Sequence, residues 1–158
     1  MRIILETPPD IRQRSSDTCW AAVLEAFCRV TPGRPRLDQD ELLRQFGKLS
    51  NSPLDRKIPL DGIRRLFSDH RFGIEIEEVS HTYFAKTPAF LFQKLQTGPV
   101  IIGYWEPATN GWHLSLIYGM DKTSVFYLNP DMDGGGYLTN DIEYFSSKGN
   151  IIIGSRRW

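Results

Sequence analysis

Four residues suited to acyl transfer occur in order along the chain: Gln13, Cys19, His113 and Asn129. A cysteine attacks a carbonyl as thiolate, so its surroundings decide whether it can react. Cys19 opens a run dense in helix formers, Cys19-Trp20-Ala21-Ala22-Val23-Leu24-Glu25-Ala26-Phe27,. A helix start offers free N–H groups and partial positive charge. With an imidazolium partner, that field can bring a thiol pKa from about 8.5 to roughly 3.5–7.5. Asp17 would oppose this if it pointed inward, so it is expected to cap the helix or face solvent; Thr18 is the other candidate cap. Gln13, six residues before Cys19, carries a side-chain amide that can donate to an oxyanion beside the Cys19 N–H. Losing one such donor costs about 10²–10³ in rate.

His113 is placed by strand parity. Trp112, Leu114, Leu116 and Tyr118 would share one face, and His113, Ser115 and Ile117 the other,. A turn centred on Asp121 would set His113 directly across a hairpin from Asn129. The Asn129 amide oxygen could then accept the imidazole N–H and leave the other ring nitrogen for Cys19. Asp131 has the same parity and competes for this orienting role, but Pro130 interrupts the strand between them. Taken singly, Cys19 and His113 could be ordinary core residues and Asn129-Pro130 only a turn. Their joint order favours chemistry.

The elements that must position these groups fall into two parts. Helices are expected from Cys19 to the Thr31-Pro32-Gly33 stop, from Asp38 (as cap) to Gly47, over Leu60–His70 and over Ala89–Gln96,. Ser50–Lys57 is polar and carries a proline, so it reads as a surface loop. Strands follow at Val100–Trp105, Trp112–Tyr118, Ser124–Leu128 and Ile151–Gly154, with shorter ones near Ile74–Val79 and Tyr137–Thr139,. Asn140 can cap a short helix through Phe145. Helices first and an antiparallel sheet second make an α+β domain over 1–158, with the Cys19 helix packed on the sheet.

Composition narrows the function classes. The 158 residues carry 41% hydrophobic side chains, enough for a sizeable core,. The 19 basic and 19 acidic residues balance, which gives no support to a phosphate-tracking nucleic-acid surface,. No apolar run is long enough for a membrane helix. Cys19 and Cys28 would lie roughly 13 Å apart on one helix, beyond disulfide reach. His70 and His81 show no metal-ligand spacing, and no metal or other cofactor is expected. Asp131 and Asp133 fail the calcium-loop pattern, and Gly134-Gly135-Gly136 reads as a tight turn and not a phosphate cradle. The N-terminus carries no cleavable leader pattern, so the chain is expected in the cytoplasm as synthesised, with export by a leaderless route open.

The segment Gln13-Arg14-Ser15-Ser16-Asp17-Thr18-Cys19-Trp20 resembles the nucleophile segment of papain-like cysteine peptidases. Gly111-Trp112-His113-Leu114-Ser115-Leu116-Ile117-Tyr118-Gly119 is similar to their histidine strand, and Tyr127-Leu128-Asn129-Pro130 to the next strand with its orienting Asn or Asp. The 94-residue gap between Cys19 and His113 is similar to the compact bacterial branches: double-glycine leader peptidases and effector proteases of plant pathogens. The second cysteine that precedes the nucleophile in plant and lysosomal enzymes is absent here. The resemblance implies a papain-like fold and cleavage of a peptide or protein amide, with Trp112 along the substrate groove and Trp20 on the groove wall or in the core. An exported effector or toxin, with an inhibitor or immunity protein as partner, is one role consistent with it, and a housekeeping or pathway enzyme is equally consistent. Two other readings remain open: an amide-acting deamidase, acyltransferase or peptidoglycan amidase, and an inactive papain-like binding module.

Overall fold

The computed structural model describes residues 1–158. Its centre is one antiparallel sheet of seven strands: β1 (Arg2–Ile4), β2 (Ile74–Val79), β3 (Val100–Glu106), β4 (Gly111–Asp121), β5 (Ser124–Asn129), β6 (Gly136–Asp141) and β7 (Ile151–Arg156). The order across the sheet is β2-β7-β3-β4-β5-β6. β4 is the longest strand and outruns β3, which covers only Gly111–Ile117. β1 fills the vacated edge, pairing Arg2–Ile4 with Asp121–Gly119. Gly119 permits this approach, since a Cβ there would lie 2.9 Å from the Ile3 carbonyl oxygen.

Alternation along the strands gives the sheet two apolar faces. Ile101, Leu114, Leu116, Leu128 and Ile152 pack against α1 (Cys19–Val30). α1 is buried from Cys19 through Cys28, because α2 (Gln39–Phe46) and α3 (Leu60–Phe67) cover its other side,. Val100, Ile102, Ile117, Val125, Tyr127 and Ile153 form the second face. α4 (His81–Lys86), α5 (Pro88–Leu95) and the 3₁₀ turn Ile142–Ser147 close it. The expected α+β architecture is therefore present, with helices on both faces. α4 was not expected; Ser80 starts it by accepting the Tyr83 N–H. The cap of the 3₁₀ turn is Asp141 and not Asn140.

The β4–β5 hairpin departs from the expected register. Its turn is Lys122-Thr123, and Asp121 pairs with Ser124. That register alone would place Asn129 on the same face as Leu116, against α1. A bulge between Ile117 and Gly119 absorbs Tyr118 and shifts the pairing by one, giving Ile117 with Tyr127 and Leu116 with Leu128. A one-residue shift exchanges faces. Asn129 thus continues across from Ser115, on the same face as His113 and one diagonal step away from it.

Candidate active site

β5 ends at Asn129 because Pro130 cannot continue the ladder. The Trp112–Leu114 stretch of β4 is left with an open edge there. Cys19, the first residue of α1, fills that edge: its Sγ donates to the Trp112 carbonyl at 3.6 Å. A cleft of about 300 Å³ opens at this end of the sheet. Cys19, His113, Asn129 and Asp131 all line it, together with Trp112, Tyr104, Asp17, Lys57, Glu106 and Tyr144.

His113 is fixed from one side. Its Nε2 lies 3.1 Å from Asn129 Oδ1, which also accepts the Asp131 N–H at 3.0 Å. Since Oδ1 is only an acceptor, Nε2 carries the proton in this pair and Nδ1 is the free basic nitrogen. Asp131 Oδ1 stands 3.8 Å from Nδ1. Tyr104 packs on the ring with centroids 5.7 Å apart. The Lys148 ammonium sits over the Tyr104 and Tyr144 rings and holds Glu106 at 4.0 Å.

The electrostatics differ from the expected poised thiolate. Burial pushes the Cys19 thiol up to about 11; the Leu114 N–H draws it down and the Asp131 charge raises it again. Burial also lowers His113, against the raising effects of Asp131 and Asn129. Both shifts favour a neutral thiol beside a neutral imidazole, and the S–H···O=C contact with Trp112 favours the same state. The helix end is outweighed because Cys19 is only 7% exposed,. The consequence for pH is testable. A general base works when unprotonated, and His113 loses its proton below its ordinary value of about 6.5. The acid limb of kcat/KM is therefore expected below pH 6.5; a limb above pH 7 would show that His113 is not depressed.

Neither expected cap takes a helix N–H. Thr18 sits at the N-cap of α1 but makes no side-chain capping bond. Asp17 accepts the Ser15 hydroxyl at 2.6 Å and the Arg56 N–H at 2.8 Å. Burial raises its pKa, but these donors together with the Arg56 charge outweigh that and hold it low. Asp17 therefore ties the Ser50–Lys57 loop to the start of α1. Trp20 completes the clasp by donating its indole N–H to the Arg56 carbonyl at 3.0 Å. Of the two places expected for Trp20, the structure gives the core and not the groove wall, with the side chain 2% exposed. Trp112 does line the cleft and meets Trp105 edge-on at 6.4 Å.

Gln13 is 5% exposed and packs beside the loop that follows Asn129, its N–H bonded to the Pro130 carbonyl at 2.8 Å. Its buried Oε1 has no partner in the protein. The wall itself is tightly built: a Cβ on Gly135 would fall 2.2 Å from the Asp131 carbonyl oxygen and 2.7 Å from that of Asn129. Gly135→Ala is expected to displace Asn129 from His113, lowering activity at least about tenfold and stability by about 1–3 kcal/mol. Unchanged kinetics would show that this loop does not set the His113 orientation.

Lys57, Glu106 and Tyr144 were not singled out from sequence. Each is an ordinary surface residue type whose place at the cleft depends on the tertiary fold. No group of His, Cys, Asp and Glu side chains is arranged to hold a metal ion.

Solved structures with the same fold include the peptidase domain of Streptococcus ComA, a bifunctional ABC transporter involved in a quorum-sensing pathway. It is 17% identical with a TM-score of 0.64, over 92% of this chain and 96% of that one. A C39-like peptidase from Bacillus anthracis is 12% identical with a TM-score of 0.65, over 99% and 98%. A double-glycine-motif protease from an AMS/PCAT transporter, in complex with its leader peptide, is 16% identical with a TM-score of 0.53, over 99% of each chain. The sequence matches the family described as papain-like cysteine protease AvrRpt2 over residues 3–147. A thiol at a helix start, an imidazole on the facing strand and a family match across nearly the whole chain agree: the protein belongs to the papain-like cysteine proteases of the AvrRpt2 family.

Proposed function

We propose that residues 1–158 act as one hydrolase domain that cleaves a peptide or protein amide through Cys19, His113 and Asn129. The observation that carries this is the shared cleft of Cys19 and His113, with His113 Nε2 held on Asn129 Oδ1 and Nδ1 free. Cys19 Sγ attacks the carbonyl carbon while His113 Nδ1 takes the thiol proton. The oxyanion is met by the Cys19 N–H and the Gln13 amide. His113 returns the proton to the leaving amine, and water then resolves the thioester. His113 acts as general base from a neutral pair, so no stored thiolate is required.

A peptide substrate fits the leader peptide bound by one structural neighbour. Trp112 lines the cleft with Cys19, and Trp105, edge-on to it, extends the aromatic surface beyond the cleft. The family resemblance supports export as a bacterial effector, with an inhibitor or immunity protein as partner. The test is product mass after incubation with a peptide mixture, with and without Cys19. New termini that depend on Cys19 support a peptidase. An amide-to-acid change or a crosslink would reassign the enzyme as deamidase or acyltransferase, and no Cys19-dependent product would leave a binding module.

A further inference from the structure

The peptide plane joining Arg12 to Gln13 is held from two sides. Its N–H donates to the Pro130 carbonyl at 2.8 Å, in the loop that follows Asn129. Its carbonyl accepts the side-chain Nε2–H of Gln39 at 2.8 Å, from the first residue of α2. One bond comes from the sheet side and the other from the helical side. A peptide plane fixed at both ends fixes the N–Cα bond of the next residue, here Gln13, from which its side chain departs.

Gln39 is 3% exposed, an unusual place for a polar side chain unless it is bonded,. Its backbone N–H donates to Glu25 Oε1 at 2.9 Å. Glu25, itself buried within α1, accepts Arg29 at 2.7 Å through its other oxygen. Glu25 thus serves as a remote acceptor for the first turn of α2, where a negative charge is favoured. The helix that carries Cys19 also carries the anchor of Gln39. The chain of contacts runs Glu25, Gln39, Arg12 carbonyl, Gln13 N–H, Pro130, and so reaches Asn129 and His113. The Gln13 Oε1 has no partner in the protein, so nothing at that atom fixes where the amide points. Its direction depends on the clamped backbone.

We propose that Gln39 is a positioning residue for the oxyanion donor Gln13, acting through the Arg12–Gln13 peptide plane. This rests on the reading of Gln13 given above. The prediction separates steps that form an oxyanion from steps that do not. Acylation by the p-nitrophenyl ester of an N-blocked glycine forms one: the Sγ–C bond is made, the thiol proton passes to His113, the ester C–O bond breaks and p-nitrophenolate leaves. Alkylation of Cys19 by iodoacetamide forms none, yet needs the same thiol and imidazole.

Gln39→Met keeps the length of the side chain and removes the donor. Acylation should fall about tenfold or more, a part of what loss of an oxyanion donor costs. Alkylation should stay within about twofold of wild type. In a Gln13→Ala background, Gln39→Met should slow acylation no further, because a residue acting only through Gln13 has nothing left to position. Should Gln39→Met not fold, Gln39→Glu applies the same test, since it exchanges the donor for an acceptor at equal length. Unchanged acylation, equal slowing of both reactions, or multiplying effects of Gln13→Ala and Gln39→Met would each overturn the proposal. Failure of the underlying reading looks different: Cys19→Ala would still take up the acyl group, or wild type would alkylate but never acylate. Either of those removes the clamp's purpose as well.

Discussion

Cys19→Ala is expected to abolish turnover while the protein stays folded. Removing a nucleophile that acts as one unit with its base costs on the order of 10⁴–10⁶ in kcat. The structural cost is small by comparison. Cys19 fills an edge between the Trp112 carbonyl and α1, and its S–H is a weak donor,. Replacing one buried sulfur with hydrogen should destabilise by only about 1 kcal/mol. Activity and stability therefore separate, and thermal unfolding beside product formation measures both. Full activity in Cys19→Ala would end the thiol mechanism. Cys28 provides the matched control: burial pushes its thiol up to about 12, and it lines no part of the cleft. Cys28→Ala should leave turnover within about twofold of wild type, as expected of a structural core thiol.

The Cys19 helix and the His113 strand were legible because their signals are local. Helix formers begin at Cys19, and apolar alternation along Trp112–Tyr118 fixes which side chains share the His113 face. The hairpin register was not legible. Placing the turn at Asp121 put Asn129 directly across from His113, whereas the true turn and the bulge at Tyr118 move it to Ser115. The displacement is two residues, so parity survives and the side chains still meet along a diagonal. Tyr118 carries no sequence mark of a bulge; the bulge satisfies a global demand that Met120 and Val125 face one core while Leu116 and Leu128 face the other. β1 went unread for a similar reason. Three residues become a strand only because β4 outruns β3. The helix end at Cys19 is visible in sequence, whereas the burial that opposes its effect on the thiol is not,.

Asn129→Ala is expected to lower kcat by roughly 10²-fold, and Asp131→Ala to leave it nearly unchanged. The geometry distinguishes the two. Asn129 Oδ1 lies at hydrogen-bond distance from Nε2, while Asp131 stands 3.8 Å from Nδ1 with its side chain 42% exposed. An orienting partner sets tautomer and ring direction, and its loss leaves Nδ1 free to turn from the sulfur, at a typical cost of about 10–100-fold or more. A screened carboxylate at the other nitrogen contributes charge but not direction. That charge raises His113, so Asp131→Ala should move the acid limb of kcat/KM to lower pH with kcat preserved. Asn129→Asp should retain activity better than Asn129→Ala, because a carboxylate oxygen accepts the same N–H. If Asp131→Ala instead loses the hundredfold and Asn129→Ala does not, the imidazole turns in the working enzyme to present Nδ1 to Asp131. Nε2 would then be the nitrogen that takes the thiol proton.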